Sequence, residues 1–487
     1  MKRDLAALTA REHDLLVVGG GIHGAAAAWD AAQRGLAVAL VEGGDFGSGT
    51  SWNSLKTIHG GLRHLQRVDL AGLRESTRER AALMRIAPLL VRPLPFLLPL
   101  YGHGLRGREA MAAALLVADL LSPGRNDGLP PSHRIPRSRV LSPNEVRERA
   151  PGVEAGGLTG GASWTDAQVQ SSERLLFGFL HAAADAGAAL ANRVEVAGLI
   201  RKDGRVAGAA ARDREGNATL EVRSRMVLNA TGPWSDALAA SAGVARKPAP
   251  MLRAVNLILR RRLVDREALG GRGDGRYLFL VPWLDRSILG TGYEPAEASN
   301  TGSGIDAFLA EARRAYPWAG IERGDVSLVH HGLVPGHGGA AGLETRSRVI
   351  DHEAEDGVAG MCSVRSVKYT TARASAEAAI DLVVRRLAAR TAPCRTATTV
   401  LARARPLAGT LGDRVRIAVQ EEMAGHLTDA VLRRLDLGTG GPPAPEDAEV
   451  VAHAMAAELG WDAARLEREK AALRAAYAAD GSVREKP

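Results

Sequence analysis

Cysteine is nearly absent from the 487 residues, with only Cys362 and Cys394 present. Two thiols cannot build a disulfide framework and fit a reducing compartment. Aromatic residues make up 4%, which leaves few stacking platforms for a nucleic acid, although the net charge of +8 suits acidic partners. No uninterrupted apolar run reaches the ~18 residues of a spanning helix. The polar opening Met1 to His13 leads directly into a short apolar segment, so no secretory signal is expected and the expected location is cytoplasmic. Lysine is scarce too, standing only at 2, 56, 202, 247, 368, 470 and 486 among 63 cations. A compact ammonium does different chemistry from a planar guanidinium. Lys56 and Lys368 lie beside Gly-, Ser- or Thr-rich turns, either as functional cations or as chance survivors in an arginine background.

Glycine is abundant instead, 55 residues, about 11% against an average near 7%. The sharpest pattern opens the chain. A buried-strand run, Asp14 to Val18, leads into Gly19-Gly-Gly21-Ile-His-Gly24, an Ala-rich helical stretch to Arg34, and a second strand, Ala37 to Val41, ending in Glu42. Strand, turn, helix and strand predict a parallel βαβ unit. Gly19 allows the tight turn, Gly21 lets backbone amides approach a pyrophosphate, and Gly24 lets helix and strand pack closely. The helix N-terminus faces the phosphates, and Glu42 accepts from ribose hydroxyls, which argues against a 2′-phosphate and so against NADP.

Downstream, Arg174 to Gly187 reads as a helix, Val194 to Arg212 as β-rich, and Arg225 to Asn229 as a strand ending at the turn Ala230-Thr-Gly-Pro-Trp234. Residues 251–295 are again β-like. A Ser/Thr-rich turn at 363–371 opens a helix over Ala374 to Leu387, and 393–410 reads as a linker. Leu427, Val431 and Leu435 form an apolar stripe, and a Pro-rich break at 442–445 precedes two further helical stretches to about Ala479. No metal-ligand set is evident.

The polar, glycine-dense stretch Thr50 to Leu65, with Gly60-Gly61 followed by Arg63, suits a backbone under a flat ligand with a cation at its edge. Together with Gly19–Gly24, Asn229-Ala-Thr-Gly-Pro-Trp234, Val281 to Thr291 and Ser366-Val-Lys-Tyr-Thr-Thr371, it resembles the flavin-dependent glycerol-3-phosphate dehydrogenases of the D-amino-acid-oxidase-like flavoproteins. The resemblance runs from about 14 to 390 and continues through Glu421-Glu-Met-Ala and Leu432-Arg-Arg-Leu in the tail. It implies an α/β fold: a Rossmann-like FAD-binding domain (1–85, 150–240 and 345–392), an interleaved β-sheet substrate domain (86–149 and 241–344), and a helical C-terminal domain (400–487). FAD is the implied cofactor. Thr50, Ser51 and Ser54 to Gly61, including His59 and Gly60, would lie along it, Thr231 and Gly232 would contact the dinucleotide, and Thr370 and Thr371 would approach the ring's pyrimidine edge. Arg63, Arg348 and Lys368 match the family's basic residues around a small anionic substrate, and either Lys368 or the helix-start amides at 370–371 would favour the anionic reduced flavin. The implied reaction is oxidation of glycerol 3-phosphate, or a related anionic alcohol, by hydride transfer to flavin N5.

The departures lie on the substrate side. Gly332-Leu-Val334-Pro335 stands where the family has Gly-Val-Arg-Pro, Asn256 where a histidine is frequent, His64 where a tyrosine follows the arginine, and Ser366-Val367 where Gly-Gly precedes the lysine. His330 and His331 are candidate bases in their place, or paired polar residues at a strand end. An amine or amino-acid oxidase of the same superfamily keeps the fold with an altered pocket, and a flavin-containing nucleic-acid-binding protein is a further alternative. Ile86 to Tyr101 and Ala110 to Leu121, near Arg106, Arg108 and Arg125, read either as core or as a basic-flanked surface resting on the inner face of the cell membrane. The resemblance implies electron passage to a quinone there.

Overall fold

The computed structural model describes residues 1–104, 107–296, 301–336, 344 and 346–477, with only the backbone of 301–303. Arg106, Thr345 and the helical tail beyond Tyr477 lie outside these residues.

The first strand, His13–Val18, is buried along almost its whole length, as a strand covered on both faces must be. It pairs in parallel with Val38–Val41 on one side and Thr219–Asn229 on the other. The sheet extends through Ala189–Ala191 at one edge and Met361–Arg365 and Arg348–Asp351 at the other, and Val194–Lys202 and Arg205–Asp213 form a meander on the long strand Thr219–Asn229. The Ala-rich helix Ile22–Gln33 is buried on nearly every face. It packs between the helices Ser172–Asp185 and Ala372–Leu387, where Trp29 meets Phe179 edge-on at 5.4 Å. This is the Rossmann-like layer expected from the βαβ pattern.

Among the described residues a nine-stranded, mostly antiparallel sheet forms the second layer, from Val326–Pro335 through Met251–Leu259, Arg286–Pro295, Tyr277–Trp283 and Ala268–Arg272 to Val91–Tyr101, Leu158–Val169 and Thr57–Ile58, with Arg139–Leu141 also paired to Leu158–Val169. Its membership departs from the sequence-based boundaries. Thr57–Ile58 and Leu158–Val169 fall within 1–85 and 150–240, yet both pair into this sheet. Chain segments cross between the layers wherever a strand finds a partner, which local pattern does not record.

Ile86 to Tyr101 is core rather than membrane-facing surface. Residues 91–101 form a strand paired along its length with Leu158–Val169. Pro93, Pro95 and Pro99 fall on alternate residues, so their missing N–H groups lie along one edge. The other neighbour, Ala268–Arg272, pairs only at Phe96 and Leu97. The helix Arg108–Leu120 is different: Leu115 alone is buried, whereas Leu116 and Leu120 are 62% and 70% exposed.

Four helical pieces form the tail: Leu411–Glu422, Leu427–Asp429 continuing as Ala430–Arg434, Pro445–Leu459 and Ala463–Ala476. The stripe of Leu427, Val431 and Leu435 lies inside this tail's own core. Charges tie the tail to the first layer. Arg433 and Arg434 are buried against Asp45, Arg193 reaches Asp429 at 2.6 Å, and Arg174 meets Glu422 at 2.7 Å. Opposing charges taken out of water need such complete pairing.

Candidate active site and cofactor cradle

The nucleotide end is made mostly of backbone. Gly19 adopts φ +108°, and a Cβ there would lie 2.6 Å from Ala230 O, so the first turn rests directly on the end of the neighbouring parallel strand. A Cβ on Gly24 would lie 1.9 Å from Gly19 O, which is why only glycine closes the helix onto the turn. Gly21 is approached only by Ser51 Oγ, at 3.1 Å from the Cβ position. The same hydroxyl accepts from Ile22 N at 3.0 Å, standing where a phosphate oxygen would accept from a helix start. Gly232 is open, with nothing within 4 Å of its Cβ position, and Thr231 is fixed by Oγ1 donating to Asn229 Oδ1 at 2.7 Å. Glu42 accepts from Gly20 N and Gly44 N, both at 2.7 Å. Burial raises its pKa, and those two amides oppose the shift. These groups fit a dinucleotide along the carboxyl ends of the parallel strands.

From Thr50 to Gly61 the chain leaves this crevice and runs between the two layers. Thr50 Oγ1 donates to Leu333 O at 3.0 Å across to the second sheet. His59 N donates to Thr370 Oγ1 at 3.2 Å, joining the loop to the turn before helix Ala372–Leu387, at whose start Thr370 and Thr371 are buried. Gly60 N donates to Asp166 Oδ1 at 2.7 Å, and Arg80 Nη1 donates to the same oxygen at 2.7 Å. A side chain on Gly60 would collide with Arg80, its Cβ falling 2.1 Å from Nη1. Burial alone would raise the Asp166 carboxyl, but His59, Arg80 and the Gly60 amide hold it at about 2. Sequence reasoning missed Asp166 and Arg80: Arg80 stands among Arg78, Glu79 and Arg85 in a charge-rich helix and Asp166 among small and polar strand residues, so local pattern marks neither.

Beyond Gly61, which takes φ +87°, the turn Leu62–Arg67 turns His64 inward. Its Nδ1 lies 2.8 Å from Asp69 Oδ2, and its Nε2 lies 2.6 Å from Lys368 Nζ. Because a carboxylate only accepts, Nδ1 carries the proton and Nε2 accepts from lysine. Asp69 also caps the helix Leu70–Ile86 and pairs with Arg346. The Arg346 guanidinium, the Gly72 amide and His64 hold its carboxyl well below the usual range. Burial lowers the pKa of Lys368; Glu75 and Asp69 oppose this and Arg63 reinforces it. His64 is lowered by burial and by Lys368. Asp69 and Arg346 were absent from the sequence-based set, although an acid just before an amphipathic helix is a capping signal.

Other expected residues are held elsewhere. Arg348 is exposed and engaged by Glu355, which also pairs with Arg246. Arg346 reaches the cluster instead. His330 is sealed beneath Trp52, 5.2 Å away ring to ring, and beside Trp283, with Nε2 donating to Thr439 O at 2.8 Å. Burial, with Lys56 nearby, pushes its pKa down to about 4, so it is a neutral core group. His331 follows it on the strand Val326–Pro335, and alternation turns it to the opposite face, the one on which Val329 packs into the second layer's own core. Neither histidine joins Lys368. Lys56 is fully buried, donating to Trp52 O, Ser172 Oγ and Glu173 Oε1 at 2.7–2.9 Å. It is a structural cation. Asn256, paired opposite His330, accepts from Thr291 Oγ1 at 2.7 Å. Val334 is buried on the same strand face as His330 and Gly332, where Gly332 abuts Thr50.

Residues 14–382 match the FAD-dependent oxidoreductase (DAO) family, and 386–466 match the C-terminal domain of alpha-glycerophosphate oxidase. The glycerol-3-phosphate dehydrogenase of Synechocystis sp. is 34% identical over 413 residues, which are 80% of this chain and 73% of that protein. The Mycobacterium leprae enzyme of the same name is 33% identical over 393 residues, 79% of this chain and 65% of the relative. The human mitochondrial one is 31% identical over 446 residues, 85% and 59%. This chain is thus shorter than these relatives, spanning from 59% to 73% of their lengths. Among solved structures, the Bacillus halodurans glycerol-3-phosphate dehydrogenase complexed with FAD superposes with a TM-score of 0.74 over 97% of this chain and 95% of that one, at 24% identity. The L-alpha-glycerophosphate oxidase of Mycoplasma pneumoniae gives 0.58 at 16% identity, over 79% and 97%. With a cradle that fits the dinucleotide, a sheet layer facing it and both family matches in order, the chain belongs to the FAD-dependent oxidoreductases, with glycerol-3-phosphate dehydrogenases among its relatives.

Proposed function

We propose that the protein oxidises glycerol 3-phosphate to dihydroxyacetone phosphate. Bound FAD supplies the hydride acceptor. The observation that carries the reading is the placement of Lys368, held on His64 in the turn that Arg63 shares, beside the loop that joins His59 to Thr370. That puts cationic side chains next to the segment expected along the flavin. Arg63 is exposed and draws the substrate phosphate; one charge-assisted hydrogen bond to such a group is worth about 1.5–3 kcal/mol. Anaerobic mixing tests the reaction: glycerol 3-phosphate should bleach the flavin absorbance, while glycerol, glycine and proline should not. Bleaching by an amine in place of the phosphorylated alcohol would overturn it.

The electron acceptor in this reading is a quinone reached at an anionic membrane surface. Among the described residues no helix is long and apolar enough to cross a membrane. Leu116, Val117 and Leu120 nevertheless present an exposed apolar face on the helix Arg108–Leu120, with exposed Arg108 at its start, while Arg125 beyond it is paired with Asp119. Exposed apolar side chains with a cation near them suit the interface of an anionic leaflet. Flotation with anionic liposomes should carry the wild-type protein and fail for Leu116→Ser/Leu120→Ser; equal flotation of both would remove the surface.

A further inference from the structure

The contact between Lys368 and His64 continues through Asp69 toward solvent. His64 is 8% exposed, the Asp69 side chain 14%, and Arg346 beyond it 62%. Three groups able to exchange protons therefore stand in line, at 2.6 and 2.8 Å, from a half-buried amine to the rim. Tautomer and direction are fixed by chemistry: Asp69 accepts from Nδ1, so Nε2 faces Lys368 with its lone pair. A neutral lysine that donates one N–H to Nε2 keeps its own lone pair for another proton donor.

We propose that Lys368 accepts the hydroxyl proton of the substrate alcohol and that His64, positioned by Asp69, conducts this proton to the surface. This rests on the glycerol 3-phosphate reading and names the proton route within it. In the balance, the carbinol C–H bond breaks with its electron pair leaving as hydride to the oxidised flavin. The O–H bond breaks with its proton going to Nζ, and the C–O bond becomes a carbonyl. The ammonium then passes a proton to Nε2, the imidazolium is stabilised by the Asp69 carboxylate, Nδ1–H hands its proton by way of that carboxylate to water at the rim, and a turn of the ring returns the remaining N–H to Asp69. Among the described residues of the second layer, His330 is enclosed by Trp52 and Trp283, and His331 faces the other way.

Among the described residues, the charged and titratable groups around the pair come from separate segments. Arg63 and Asp69 flank His64 in sequence, Glu75 comes from the following helix, and Arg346 from the segment before the edge strand Arg348–Asp351. Their effects on Lys368 have known signs. Asp69 favours the ammonium by its charge, and His64 favours it by accepting the stronger hydrogen bond of a cation. Removal of either therefore makes Lys368 lose its proton at lower pH.

The test has two arms on the FAD-loaded protein. In the first, without substrate, the rate of acetylation of Lys368 by trace acetic anhydride is followed against pH by peptide mass spectrometry. Asp69→Asn and His64→Ala should each shift its midpoint downward, by about a pH unit for the removed charge, while Lys202 is unmoved. An unchanged Lys368 midpoint in both variants overturns the chain. In the second, flavin reduction by glycerol 3-phosphate is timed in His64→Ala with and without imidazole. The variant should be slowed by ~10²-fold, within the ordinary span for a lost proton-transfer group, and should recover saturably as imidazole is added. Lys368→Ala should not recover. A slow His64→Ala that imidazole leaves slow overturns the conducting role. Wild-type flavin that glycerol 3-phosphate fails to reduce overturns the substrate reading alone, since the acetylation arm still decides whether Asp69 and His64 act on Lys368.

Discussion

The two ends of the candidate site are built from different materials. At the nucleotide end, contacts come from backbone amides, carbonyls and missing side chains, supplied by Gly19 to Gly24 and the strand end at Ala230. At the Lys368 end they come from side chains of residues 64, 69, 346 and 368. A backbone device tolerates almost any neighbour but no added carbon, and it is written in one short stretch. A side-chain device can be dismantled one group at a time and is scattered along the chain. Substitution should therefore act all-or-none at one end and by degrees at the other.

The largest expected effects break the backbone end. Gly24→Ala places a Cβ 1.9 Å from Gly19 O and should yield protein that neither folds to the wild-type melting temperature nor retains flavin. Gly21→Val meets only Ser51, so it should fold yet purify colourless, a separation readable from visible absorbance and thermal melting. At the other end, Lys368→Ala should keep its flavin and its fold but lose ~10²-fold or more in anaerobic flavin reduction by glycerol 3-phosphate. If Lys368→Ala were colourless as well, the two ends would not be separable.

A third class of effect concerns the charges holding the tail to the cradle. Asp45 accepts from Arg433, Arg434 and Asn192, all buried. Asp45→Asn leaves Arg434 short of its counter-charge and Arg433 with Asp429 alone, which costs about 3–5 kcal/mol when a buried pair is broken, and should lower the melting temperature measurably. Smaller still is a pH effect at His426, which Glu215 and Glu469 raise to about 10. A raised histidine contributes its full stability below its unfolded pKa near 6.5 and loses it as pH climbs through about 10. The melting temperature should accordingly decline across that interval, and His426→Gln should flatten the decline. The smallest expected change sharpens the substrate end. Val334→Arg, which restores the residue the resemblance places there, should raise the glycerol 3-phosphate rate a few-fold if Val334 limits turnover.

How much could be read beforehand follows the same division. The strand, turn, helix and acid from Asp14 to Glu42 were legible because each element is specified by neighbours in sequence, and the helical tail was legible from its stripe and breaks. Scarcity drew notice to both Lys56 and Lys368 but could not part them. Lys56 ends fully buried on Glu173 and Lys368 half-buried on His64, and only the partners, distant in sequence, distinguish the two. The pairing of Leu158–Val169 with Val91–Tyr101 and the turning of His331 to the other face are likewise outcomes of strand register, which a shift of one residue would reverse and no local signal sets. Arg346 reaches Asp69 from the bend before the strand that Arg348 opens, a path set by tertiary contact.

Asp45 stands three residues beyond Glu42, at the head of the loop that carries Ser51 to the first helix, yet its partners Arg433 and Arg434 are nearly four hundred residues later. During synthesis the ribosome has long since released the βαβ unit when those arginines emerge. Until then Asp45 lacks the two guanidinium groups that complete its pairing, with Asn192 as its earlier partner. Full cofactor affinity should therefore wait for residues 433 and 434: nascent chains stalled before residue 433 should bind FAD less tightly than chains released beyond it.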